Sequence, residues 1–326
     1  MRLRRTYLVV GGAGFIGSHF VDRLLTSQSV ERVTVYDNFS SGRAWHLEAH
    51  EGSPRLHVVR ADVAELDCLA EAMQGHDEVI HLASNPDIAR AATDPGIDFH
   101  QGTRLTHNVV EAMRLTGVAR ILYASGSGVY GELGQTEATE DHGPLRPIST
   151  YGASKLAGEA LICAYCHMFG LTACVFRFGN VVGSRQTHGV GFDFLRQLLA
   201  EPGRLRIQGD GTQSKSYIHV SDVIEAVLLA SSAATSGFSV HNVATGDWIT
   251  VREIADLAVR CVGLAAGETE YGFTGGERGW KGDVPVVRLD TARIRELGWM
   301  PSMSSREALW GSMLEILPDA RAGRLW

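Results

Sequence analysis

The sequence predicts an α/β fold, a doubly wound parallel sheet with a smaller α/β carboxyl-terminal lobe. Short apolar runs alternate with helical patterns through the first half of the 326 residues, as strand-crossover-strand units require. The first run leads straight into three evenly spaced glycines, Gly11, Gly14 and Gly17. Residues able to do chemistry fall at the carboxyl ends of the runs, where open parallel sheets hold their ligands.

Tyr7 to Val10 reads as the first strand, and Ile16, Phe20, Leu24 and Leu25 mark one face of the helix after it. Between them Gly11 allows a tight turn, Gly14 lets backbone approach a pyrophosphate, and Gly17 permits close helix packing. That context makes the turn a dinucleotide site of the Rossmann kind, with contacts expected from Gly11, Gly14, Phe15, Ile16 and Gly17. The second strand, Arg32 to Tyr36, ends at Asp37 and Asn38. An acid there accepts bonds from the adenosine ribose and repels a 2′-phosphate, so NAD is expected rather than NADP. Arg55 to Arg60 is the third strand, before Asp62 and Val63, and Glu78 to Leu82 the fourth, before Ala83 and Ser84. A helix is expected over Arg104 to Leu115 and a fifth strand over Arg120 to Ala124, running into Ser125-Gly126-Ser127-Gly128. Another helix carries Tyr151 and Lys155 and continues to Phe169, and Thr172 to Phe176 is the sixth strand, before Asn180. Beyond that the pattern loosens. Residues 1–180, with a returning segment at about 214–245, are expected to form the nucleotide domain, and 181–213 with 246–326 the substrate lobe.

Composition excludes several classes of function. A net charge of −7 with one small basic cluster, Arg2-Leu3-Arg4-Arg5, argues against a nucleic-acid partner. That cluster precedes a strand instead of a long apolar region, so no signal peptide is read, and no stretch reaches the ~18 apolar residues that cross a membrane. Five cysteines suit a reducing compartment, and the cytoplasm is the expected location. Cys163 and Cys166 share a helix without a second ligand pair, and the thirteen histidines show no ligand spacing, so no metal is expected.

Only three of the thirty basic residues are lysine, and Lys155 is one of them. Four positions separate it from Tyr151, which puts both side chains on one helix face. An ammonium there favours the ionised phenol, lowering Tyr151 from its ordinary ~10 towards neutrality. A phenolate poised near working pH suits removal of a proton from a sugar hydroxyl.

The ordered motifs Gly-Gly-Ala-Gly-Phe-Ile-Gly at 11–17, Asp37-Asn38, Asp62-Val63, Val129-Tyr130-Gly131, Tyr151 with Lys155, Arg177-Phe178-Gly179-Asn180 and Tyr217-Ile218-His219-Val220 cover nearly the whole chain. Together they resemble the extended short-chain dehydrogenase/reductase family, above all its NAD-dependent nucleotide-sugar epimerases and dehydratases of the UDP-glucose 4-epimerase type. The resemblance implies adenine contacts from Asp62 and Val63, and contacts to the nicotinamide half from Leu82, Ala83, Ser84 and Ala124. It also implies a substrate contact from Asn180 and a homodimer built from helices around 103–115 and 151–169, and Ser125, His188, Lys215 and Arg278 are further candidate substrate contacts. Apolar residues at helical spacing, Leu105, Val109, Ala112 and Met113 with Leu156, Ala160 and Ala164, would supply that interface.

Several positions depart from the family pattern. The serine or threonine that bonds the reacting sugar oxygen is replaced by Gly126, and Ser127 is expected to supply the hydroxyl. Phe99 stands where a cofactor-side asparagine is usual. Lys215 and Trp280 occupy positions of arginines that clamp the substrate diphosphate, with Arg278 and Lys281 close by.

The expected reaction is inversion of carbon 4 of a UDP-hexose through a transient 4-keto sugar. Tyr151 would move the proton, Lys155 would hold the cofactor ribose, and Ser127 would bond the sugar oxygen. Family dehydratases carry an acidic residue in the stretch that reads Gly126-Ser127-Gly128 here, which ranks that chemistry low. The alternatives are a 3,5-epimerase of the GDP-mannose kind with His188 as acid and base, and a catalytically silent NAD-binding regulator.

Overall fold

The chain opens with the strand-turn-helix unit that its glycines announce. β1 (Thr6–Val10) is buried over its last four residues, and α1 (Phe15–Leu25) buries Gly17, Phe20, Val21, Leu24 and Leu25. The structure, a computed structural model, describes residues 1–265 and 267–324. β2 (Arg32–Asp37), β3 (Leu56–Arg60), α2 (Leu66–Met73), β4 (Glu78–His81), α3 (Arg104–Thr116), β5 (Arg120–Gly126), α4 (Thr150–Phe169) and β6 (Thr172–Phe178) continue the alternation. β5 and β6 each run further than their apolar residues predict, because Ser125 pairs with Arg177 and Gly126 with Phe178 in a shared parallel ladder. That extension carries Ser125 and Gly126 to the rim of the sheet.

After β6 come β7 (Asn180–Val182), α5 (Val190–Ala200), β8 (Arg204–Ile207), β9 (Ser214–Lys215), β10 (Tyr217–His219), α6 (Val220–Ala233) and β11 (Phe238–Val243). β12 (Ile249–Thr250), α7 (Val251–Val262), β13 (Glu270–Phe273), α8 (Ala292–Glu296) and α9 (Ser305–Arg321) complete the described elements. The central sheet has seven strands in the order β11-β6-β5-β4-β1-β2-β3, and every pairing is parallel. β11 therefore returns to the edge of the first sheet after the chain has left it.

Both faces of the sheet are covered, which is why its strands are apolar on both sides. On one face Phe20, Val21 and Leu24 of α1 meet Val223, Ile224 and Val227 of α6. On the other, Leu69 and Met73 of α2, Val109, Val110 and Met113 of α3, and Ile162 of α4 pack together. A separate core joins α5, α7 and α9 over the parallel pair β8 and β13, through Phe194, Leu195, Leu205, Ile207, Ile254, Leu257, Leu309 and Met313. Burying each large side chain of this kind contributes about 1.5–3 kcal/mol.

This packing corrects one expectation about α3. Val109, Ala112 and Met113 are consumed by their own chain's interior and do not form an outward face. On α4, Ala160 and Ala164 do point outward, with Leu156 half-buried.

Candidate active site

The carboxyl ends of β1, β2, β4, β5 and β6 open into one cavity of about 1390 Å³ that reaches across to α5, β8 and the segment after β13. Gly11 sits at φ +84°, and a β-carbon there would fall 2.8 Å from the Ala83 amide nitrogen. A β-carbon on Gly17 would lie 2.2 Å from the Gly11 carbonyl oxygen, so α1 can enter this close only on glycine. Gly14 precedes α1 without a side-chain cap, and Gly14, Phe15, Ile16 and Gly17 all line the cavity. Uncapped helix amides beside a glycine turn fit a pyrophosphate.

The rim at β2 is held by its own bonds. Asp37 accepts from the Ala13 amide at 2.9 Å and the Phe39 amide at 2.8 Å, while burial pushes its carboxyl above the ordinary range. Asn38 donates to Asp62 at 2.8 Å, and Asp62 also accepts from the Ala64 amide at 2.8 Å. Asp37, Asn38, Asp62, Val63, Leu82, Ala83, Ser84 and Ala124 line the same cavity as the glycines.

α4 starts with Ser149, whose hydroxyl accepts from the Gly152 amide at 3.1 Å. Its first turns bring Tyr151 and Lys155 to the cavity floor. Lys155 is 5% exposed, donates to the Ala124 carbonyl at 2.7 Å, and stands 5.6 Å from the Tyr151 ring centre. Burial lowers the ammonium to about 8, against the Asp98 and Glu159 carboxylates that raise it. Burial also pushes the Tyr151 phenol up to about 12, with Asp98 adding to the rise. The lowering towards neutrality expected from Lys155 is not seen in the protein alone, where burial and Asp98 both act to raise the phenol. The phenol oxygen makes no hydrogen bond within the protein among the described residues, which leaves it facing the cavity.

The rim of β5 separates its two serines. Ser125 lines the cavity as expected, and its hydroxyl donates to buried Glu159 at 2.5 Å, which ties this part of the rim to the support beneath the floor. Glu159 is also gripped by Arg177 at 3.0 and 2.7 Å, and Arg177 donates to the Tyr130 hydroxyl at 2.9 Å. Ser127 lines the cavity, and its hydroxyl has no protein partner among the described residues. Gly126 is extended, at φ −159°, and a β-carbon there would meet only Tyr151, 4.0 Å from the phenol oxygen.

The substrate side of the cavity differs from expectation in its charges. Asn180 lines it and donates to the Ser216 carbonyl at 3.2 Å. His188 lines it too; burial keeps its ring below the ordinary histidine value, opposed by Asp193 and Asp87. Lys215 spends its charge on Asp283 at 2.5 Å. Arg278 lies behind the wall, bonded to the Asp283 carbonyl at 2.6 Å and Glu132 at 2.5 Å. Both are paired within the protein, and of the two only Lys215 lines the cavity. Lys215, Trp280, Arg196 and Arg206 line the cavity; Arg196 pairs with Asp193 at 3.2 Å, and Arg206 has no ion pair among the described residues. The Gln197 side chain bonds both backbone groups of Arg206, at 3.0 and 3.3 Å, which sets that arginine beside α5. Alternation in Arg204-Leu205-Arg206-Ile207, with the aliphatic residues buried, is the signal that puts Arg206 on the open face.

Known proteins share this family and fold. A family model described as NAD dependent epimerase/dehydratase matches residues 7–244. UDP-glucose 4-epimerase of Mycolicibacterium smegmatis is 36% identical over 310 residues, covering 93% of this chain and 95% of that protein. dTDP-glucose 4,6-dehydratase of Streptomyces griseus is 31% identical over 306 residues, with 93% and 91% covered. The crystal structure of Thermus thermophilus UDP-glucose 4-epimerase with NAD superimposes at a TM-score of 0.83, with 30% identity over 95% of this chain and 98% of that one. On this match and on the glycine cradle, the chain belongs to the NAD-dependent epimerase/dehydratase family of the extended short-chain dehydrogenase/reductase type, and its cofactor is NAD.

Proposed function

We propose that the protein is a nucleotide-sugar epimerase that inverts carbon 4 of a UDP-hexose through a transient 4-keto sugar. The observation that carries this reading is the Tyr151 phenol, free of protein partners on the floor of a cavity continuous with the dinucleotide turn. Gly11, Gly14, Gly17, Asp37 and Lys155 would hold NAD, which when bound would supply a reversible hydride acceptor and a positive charge that favours the ionised phenol.

Tyr151 takes the proton of the 4-hydroxyl as the carbon–hydrogen bond breaks, and returns it after the ketone has presented its other face. At neutral pH the unassisted pair is an ammonium at about 8 beside a phenol at about 12. Lys155 therefore contributes its positive charge at neutral pH, and added positive charge in the site favours ionisation of Tyr151. Ser127 bonds the sugar oxygen across the gap at Gly126. Arg206, which has no ion pair among the described residues, meets the diphosphate together with Lys215, whereas Arg278 is turned to Glu132 behind the wall.

Turnover of UDP-, GDP- and TDP-sugars in deuterated water tests the reading. Inversion at carbon 4 by hydride return leaves the sugar unlabelled. Incorporation of solvent deuterium at carbons 3 or 5 would replace it with proton chemistry at those carbons, for which His188 is positioned on the cavity wall. Bound NAD with no turnover of any sugar would leave a silent regulator.

A further inference from the structure

Asp98 stands one residue before a π-helical turn (Phe99–Thr103), is 1% exposed, and lies behind the cavity wall. Its carboxylate accepts from the Thr150 hydroxyl at 2.7 Å and the Asn85 amide at 2.9 Å, and its main-chain carbonyl accepts from the Ser154 hydroxyl at 2.8 Å. Thr150 and Ser154 bracket Tyr151 on α4. The turn presses on that helix so closely that a β-carbon on Gly102 would fall 2.1 Å from the Ser154 hydroxyl. Asp98 has no ion pair among the described residues. A buried carboxylate bonded only to neutral groups is costly to hold, and π-helical turns concentrate at functional sites.

The geometry points to Asp98 as a positioning residue: its carboxylate and main-chain carbonyl pin α4 on both sides of Tyr151, and its negative charge acts on the Tyr151–Lys155 pair. This rests on Tyr151 being the group that moves the proton. Other groups around Asp98 do not supply the same control. On α4, Glu159 also favours the Lys155 ammonium, but it is neutralised by Arg177. On β5, the ring of Tyr123 faces Lys155 at 5.3 Å, with its phenol raised by burial; on β4, burial keeps His81 neutral, at about 3. The loop before Asp98 carries Asp87, Arg90 and Asp94, of which the last two pair at 3.7 Å. His100 lies in the turn, and Arg104 opens α3.

Removing the Asp98 charge lowers both ionisations, so both limbs of a pH–rate profile move to lower pH in Asp98→Asn. Thr150→Val deletes a hydrogen bond and keeps the charge, so it lowers the rate without moving the limbs. A direct reading needs no sugar and survives failure of the epimerase proposal: tyrosinate absorbance against pH, as the difference between the NAD-loaded protein and Tyr151→Phe. In the Asp98→Asn background that difference titration is expected to move down by ~1 pH unit or more, the size of one nearby charge. Asp98→Ser, which removes the same charge in a smaller side chain, is expected to give the same shift. An unmoved titration in either folded variant overturns the proposal and leaves Asp98 as structural support. The NAD-free protein gives a variant-independent check, because Tyr151 tyrosinate appearing below its ordinary ~10 there would also overturn it.

Discussion

Tyr151 commits one oxygen atom to the proposed chemistry, so Tyr151→Phe separates function from fold. Turnover is expected to fall by ~10²–10⁴-fold, as for loss of a positioned acid/base, with NAD still released on heating the purified protein. Lys155→Arg is expected to be nearly as damaging, because a planar fork cannot replace a compact ammonium against the Ala124 carbonyl. The two serines of the β5 rim should split by kind of effect. Ser127→Ala is expected to lower turnover, whereas Ser125→Ala should cost about 1 kcal/mol of stability through its lost bond to Glu159, read by thermal melting. Should His188→Ala inactivate while both serine changes are silent, inversion at carbons 3 and 5 takes over. Arg206→Ala is expected to raise KM with little change in kcat, the mark of binding shared by ground and transition states.

Elements translate these contacts into position. Gly102→Val forces a side chain into the Ser154 hydroxyl and should destabilise the seam between the π-helical turn and α4 by ~1–3 kcal/mol, with kcat falling alongside the melting temperature. The outward face of α4 exposes Ala160, Ala164, Phe169 and Met168, the last 71% exposed, and a homodimer through this face is expected. A monomeric mass at micromolar concentration would remove that expectation. Elements also explain what could be read from sequence. The glycine turn and the Tyr151–Lys155 pair were readable because one turn of backbone sets each spacing. Asp98 was not, since its meaning lies in a bond to Thr150, 52 residues away. The true partner of Ser125 is 34 residues on, and Lys215 looks free until Asp283 is folded against it from 68 residues further. Local pattern reports direction along an element; it is silent on which neighbour a polar group will meet.

The whole molecule carries a pH limit in its buried histidines. Burial holds His46 and His241 at about 4 and His81 at about 3, so the folded protein keeps them neutral. An unfolded chain binds those protons near ~6.5, so stability is full above that value and is lost as pH falls toward the folded values. Melting temperatures measured at pH ~7.5 and ~5 should therefore differ by several degrees, lower in acid. The strand order has a consequence of another kind, for the time course of synthesis. β11 closes the edge of the seven-stranded sheet beside β6, yet 59 residues of chain lie between them, reading from Gly179 to Gly237. A ribosome delivers β7, α5 and β8 before it delivers that edge, so the nascent sheet waits with β6 uncovered while sequence for the other core emerges. Folding of the nucleotide half is thus tied to a later stretch of translation, and a chain released at residue 213 should neither retain NAD nor stay in solution.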